Sequence, residues 1–161
     1  MAYVLHGVIG TAEVLQPCRA FAHAVVIPLG HGLYLLPMTG DLIEEVRRGD
    51  PVDPRLMPCE RFPPGFDRTL ADWSQAGPVA YVEAEYFGGT GSQLAAVWQA
   101  GQLVLGPIIK AEDAPPSAAG KSPISQALRC LGVSAGGHFD EFDAVGLGRH
   151  RDTDGWFDEE S

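Results

Sequence analysis

Two carboxylates, Glu83 and Glu85, stand two residues apart in the run Val79-Ala-Tyr-Val-Glu-Ala-Glu-Tyr-Phe87. In a strand that spacing puts both on one face, about 7 Å apart, flanked by Tyr81 and Phe87. Carboxylates so placed suit general acid and base work or the binding of a cation. Arg149 and His150 would add a counter-charge and a proton carrier, giving a polar site if the fold brings all four into one cleft. The competing reading of the two glutamates is a solvated sheet face.

The next stretch, Glu85-Tyr-Phe-Gly-Gly-Thr-Gly-Ser-Gln93, concentrates glycine as phosphate-binding loops do. Such a loop ends in Lys and Ser/Thr and opens a helix whose amides face the phosphates. Here Gln93 and Leu94 follow, the next run is strand-like, and the glycines do not fit the dinucleotide fingerprint. The stretch therefore reads as a tight connection between strands, with Gly88, Gly89 and Gly91 supplying the turn. Tyr86, Phe87 and Gln93 exceed what a turn needs, and they are candidate contacts for a protein partner.

The densest polar segment is Gly136-Gly-His-Phe-Asp-Glu-Phe-Asp143, continuing to Arg149-His-Arg-Asp-Thr-Asp154. His138 with Asp140, Glu141 and Asp143 matches neither the calcium-loop spacing nor a zinc-binding His-Glu-x-x-His. A helix-capping cluster with an ion-paired tail is expected there, and neither metal nor cofactor is expected anywhere. His6, His23 and His31, isolated in apolar runs, read as packed or turn histidines. Ser92, Ser125 and Cys130 lack a nucleophile context such as Gly-x-Ser-x-Gly. Cys18, Cys59 and Cys130 show no paired spacing, so they read as reduced, packed thiols, with Cys130 near the buried face of a helix.

The elements that would position these groups follow from periodicity. Tyr3–Ile9 is a short β-rich run, after which Thr11 can cap a brief helix ended by Pro17. Val25–Ile27 and Leu33–Leu36 flank Gly30-His-Gly32 as a hairpin, with Pro28 and Pro37 suggesting an edge. Asp41 is the expected N-cap of a helix stopped at Gly49. A proline-rich excursion spans residues 50–65, and a helix over Asp67–Ala76 follows. Pro78–Ile109 alternates as a three-stranded meander over about 79–109. After a linker at 111–121, Ser122-Pro123 opens another helix, with Ile124, Ala127, Leu128 and Leu131 on one face. A short helix over Phe139–Val145 and an acidic polar tail at 149–161 complete the chain. One α+β domain over 1–161 is expected, a mainly antiparallel sheet with three to four short helices on one face.

Eleven basic against twenty-one acidic residues give a net charge of −10. That balance disfavours nucleic acid and anionic lipid and suits a basic protein partner. No run approaches a membrane span and no basic leader precedes an apolar segment, so a cytoplasmic location is expected.

The segments Pro78–Trp98, Ser122–Val133 and Asp140–Trp156 together resemble a group of small uncharacterised bacterial proteins of actinobacterial type. In size, charge and the aromatic-Gly-Gly-x-Gly-x-Gln loop at Phe87–Gln93, the chain is also similar to the acidic α+β immunity proteins encoded beside polymorphic toxins. The resemblance implies inhibition of a basic toxin-like partner. Tyr86 to Gln93 would then supply shape, while Asp140, Glu141, Asp143, Asp158, Glu159 and Glu160 would steer association, with Arg149 beside them. Two other classes compete: a small enzyme or ligand-binding domain built on Glu83, Glu85, Arg149 and His150, and a homo-oligomerising module that uses a strand edge or the tail.

Overall fold

The computed structural model describes residues 2–47, 62–87, 90–111 and 121–160, with the backbone alone at 90 and 157–160. Six strands form one sheet: β1 (Ala2–Thr11), β2 (Ile27–Pro28), β3 (Leu33–Pro37), β4 (Val79–Phe87), β5 (Thr90–Gln99) and β6 (Gln102–Lys110). Their order is β2-β3-β1-β4-β5-β6, with every neighbouring pair antiparallel. The expected N-terminal hairpin and C-terminal meander are thus joined through β1, which pairs with β3 on one side and β4 on the other. Only β2 takes the edge position that the prolines suggested. The described parts of the excursion at 50–65 and the linker at 111–121 are short, and residues 48–61, including Gly49 and Cys59, and 112–120 lie outside the described residues.

Among the described residues six short α-helices accompany the sheet: α1 (Ala12–Leu15), α2 (Gly40–Val46), α3 (Phe66–Trp73), α4 (Pro123–Cys130), α5 (Glu141–Val145) and α6 (Thr153–Glu160). Thr11, Ser122 and Asp140 cap α1, α4 and α5 by accepting from the N–H three residues on, as short polar side chains do at helix starts. For α2 that role falls to Thr39 rather than Asp41: Thr39 Oγ1 accepts from Leu42 N at 3.3 Å, and Asp41 sits in the first turn.

The sheet is covered on both faces, which corrects the expectation of helices on one. β1 and β4 carry apolar residues in both parities, so neither side of the sheet's centre can face water. On the front face, Val8, Tyr81, Ala96 and Trp98 meet Leu42 of α2 and Phe66, Leu70 and Trp73 of α3. On the back face, Leu5, Ile9, Val82 and Val97 meet Ile124 and Leu128 of α4, Val145 of α5 and Trp156 of α6.

The segment expected as a polar tail is a further correction. Trp156 is fully buried, and the chain before it completes the edge of β1 where β3 is too short to reach. Val4 N donates to the Arg151 carbonyl at 2.7 Å and His6 N to Thr153 Oγ1 at 3.1 Å. Unpaired backbone groups in a covered sheet need such partners, so the C-terminal segment is part of the fold.

Candidate functional site

Beyond α3 the front face of the sheet changes character. β1 and β4 are in register with His6 opposite Glu83 and Val4 opposite Glu85. Alternation therefore sets Val4, His6, Glu83, Glu85 and Phe87 on this one face. Glu83 and Glu85 are not both solvated. The Glu83 side chain is only 15% exposed against 47% for Glu85, and the buried His6 ring lies between them, with Nε2 3.8 Å from Glu83 and 3.6 Å from Glu85. Tyr81 Oη donates to the second Glu83 oxygen. His6 is buried, as expected of it, but as the centre of a polar row. Strand alternation alone placed the glutamates; the pairing of β1 with β4, across more than seventy residues, was needed to bring in His6.

The face then runs, past Val4, into a cleft of about 460 Å³ between α2 and the 152–154 segment. Its floor is apolar, formed by Val4, Met38 and Ile43, and its rim carries Glu44, Asp152 and Asp154. Arg47 also lines it, but its guanidinium is 3.1 Å from Glu44. Asp152 Oδ1 accepts from Gly155 N at 2.6 Å, which fixes that carboxylate at the start of α6. The sequence marked Asp152 and Asp154 within its densest polar segment but not their convergence with Glu44, because α2 and α6 border one cleft only in the folded chain.

Arg149 and His150 do not join Glu83 and Glu85. Arg149 donates to the Pro28 carbonyl at 2.8 Å and lies 4.9 Å from the centre of the Trp156 ring, while His150 meets the same ring edge-on at 4.8 Å. Trp156 belongs to the back face, so the two pairs lie on opposite sides of the sheet. The cleft imagined around all four residues is absent for that reason.

The residues of the glycine loop separate in the same way. Phe87 is 56% exposed on the front face. Tyr86 and Gln93 point to the back, where Gln93 Nε2 donates to Tyr86 Oη at 2.8 Å and Gln93 Oε1 accepts from Ile124 N at 3.1 Å. Burial pushes the Tyr86 hydroxyl pKa up, against the opposing hydrogen bond from Gln93. Gly91 is required by this packing, since a Cβ there would lie 2.2 Å from the Glu85 carbonyl oxygen and 2.4 Å from the Tyr86 ring. Gly88 and Gly89 lie outside the described residues.

At the start of α5, Asp140 caps the helix and Asp143 pairs with His138 at 3.3 Å, as a capping cluster should. Glu141 is not a surface carboxylate available for steering. It is buried and reaches Arg129 of α4 at 3.3 Å. Burial pulls its pKa up, but its own backbone N–H, the Arg129 guanidinium and the Ser125 hydroxyl outweigh that, and the net displacement is downward. The side chains of Asp158, Glu159 and Glu160 lie outside the described residues. Cys18 is buried as expected, whereas Cys130 is exposed, because α4 ends on it and its inward face is spent on Ile124, Ala127 and Leu128.

Among the described residues no group of three or more His, Cys, Asp or Glu is placed to hold a metal ion, and no helix is long and apolar enough to cross a membrane. No protein-family model, curated protein or solved structure significantly matches the chain.

Proposed function

We propose that this chain is a protein-binding domain that takes a basic partner on the open end of its front sheet face, as an immunity-type inhibitor would. The observation that carries the reading is the exposed pair Glu85 and Phe87, two residues apart on one strand face, with the acid-rimmed cleft adjoining through Val4. An aromatic side chain beside carboxylates suits a basic surface: the ring supplies area at little entropic cost, and the carboxylates supply sign and approach rate. The cleft's apolar floor and acidic rim match a lysine or arginine side chain, whose aliphatic stem and charged head need both. A net charge of −10 adds long-range attraction for the same class of partner.

Affinity capture from the source cell, repeated at low and at about 0.5 M salt, tests this, since exposed charge pairs lose most of their attraction at a Debye length of a few ångström. A basic protein should be retained at low salt and released at high salt. With the partner purified, Phe87→Ser and Glu85→Lys should each weaken binding by about tenfold or more. A partner held equally well in both salts and by both variants would refute the reading.

A further inference from the structure

The sheet's two edges differ. β2 is two residues long and ends on Pro28, whose missing N–H cannot extend a ladder. β6 is nine residues long and, among the described residues, pairs only with β5. Long edge strands are usually protected by charge, lysine above all. Yet from Gly88 to Ile109 the chain has no ionisable side chain, in a protein with eleven basic and twenty-one acidic residues. Lys110, the one charge on β6, is tied back across the hairpin, its Nζ donating to the Gly91 carbonyl at 3.3 Å. Leu103, Val104 and Ile109 are 39%, 54% and 53% exposed, and among the described residues Leu105 is the one β6 side chain packed against a core.

We propose that β6 is a self-association surface on which two copies of this chain meet across a two-fold axis, setting Leu103, Val104 and Ile109 of each against the other. Charge selects the occupant. Two molecules of net charge −10 repel wherever their carboxylates face each other, and the β5–β6 hairpin, which carries no acidic side chain, lets them touch with those carboxylates held apart. A basic partner gains nothing from a strip without acids. A two-fold contact needs the same patch on both sides, and a strand edge supplies it by antiparallel apposition. The register shifts around Val97 and the N–H missing at Pro107 interrupt a continuous ladder, so side chains and short paired stretches make the contact. One strand per copy falls at the small end of specific interfaces, about 1,200 Å² or less, so the dimer should be weak, with a midpoint on the order of 0.1 mM.

Sedimentation velocity of the full chain from about 10 μM to about 1 mM, at low and high salt, reads this directly. The expected result is a monomer that becomes a dimer with concentration, more completely at high salt, where screening removes residual repulsion. The double variant Val104→Lys with Ile109→Lys should remain monomeric. A wild-type chain monomeric at the top concentration in both salts, or a dimer that survives the double substitution, overturns the proposal. Amide exchange in wild-type β6 provides a check free of any folding defect in the variant: exchange that slows with concentration supports the contact, and exchange independent of concentration overturns it. Binding of a basic partner weakens with salt whereas this association strengthens, so either can fail without the other.

Discussion

Gln93 shows how a single side chain can be read correctly as special and wrongly as to its role. Its place after the glycines marked it, with Tyr86 and Phe87, as more than a turn needs. Strand alternation was enough to send Phe87 and Tyr86 to opposite faces, but the destination of Gln93 depended on where α4 docks, thirty-one residues away. There its carboxamide satisfies one donor and one acceptor at once, joining the β4–β5 hairpin to the start of a helix. Gln93→Ala should therefore cost about 2 kcal/mol, because it leaves the Ile124 amide without its acceptor in a buried place. Phe87→Ala should stay within about 0.5 kcal/mol, since its ring is largely in water. Urea unfolding of both variants checks the pair: equal costs would show that the two residues had been separated wrongly.

At the scale of elements, the sequence was most legible where periodicity and punctuation agreed. The β4–β5–β6 meander was read from alternation, and its second turn is built on Ala100 and Gly101, both at positive φ as a tight hairpin demands. Helix α4 was legible from Ser122-Pro123 and its apolar face. What failed was α6: Asp152 to Glu160 reads as a solvated acidic end because one Trp among many carboxylates gives no amphipathic period. Its folding is tertiary, driven by Trp156 filling the back core and by Arg151 and Thr153 completing the edge of β1. The candidate site was half legible for the same reason, with Glu85 and Phe87 fixed by alternation and the cleft formed between α2 and α6 in the folded chain. Trp156→Ala should cost about 3–5 kcal/mol. The indole Nε1 has no acceptor among the described residues, so Trp156→Phe loses volume but no hydrogen bond and should retain most of that stability. Thermal unfolding distinguishes the two, and a Phe variant as unstable as the Ala variant would mean that the indole N–H matters.

For the molecule as a whole, the displaced titrations set a pH window. Glu141 and Glu45 both ionise below the ordinary carboxylate value of 4.5, Glu141 for the reasons given above and Glu45 chiefly because its carboxylate accepts from the backbone of His23 and Ala22. A folded pKa lowered in this way contributes stability that is complete above the unfolded value and is lost as pH falls through the folded one. The thiol of Cys18 moves the other way: burial pushes it up to about 11 from 9.0, against a small opposing pull from Arg19. Burial raises Tyr3 and Tyr86 likewise, with Tyr86 adding to the effect on Tyr3. Raised acids contribute stability that is complete below their unfolded pKa and is lost as pH rises toward the folded one. The urea midpoint should therefore fall below about pH 5, as Glu45 and Glu141 lose their charge, and again above about pH 9, as the buried thiol and phenols are drawn toward ionisation. Arg129→Ala removes the cation that helps hold Glu141 ionised, so it should shrink the acid limb and leave the alkaline limb unchanged. An acid limb identical in the variant would show that the contact between α4 and α5 carries no linked charge.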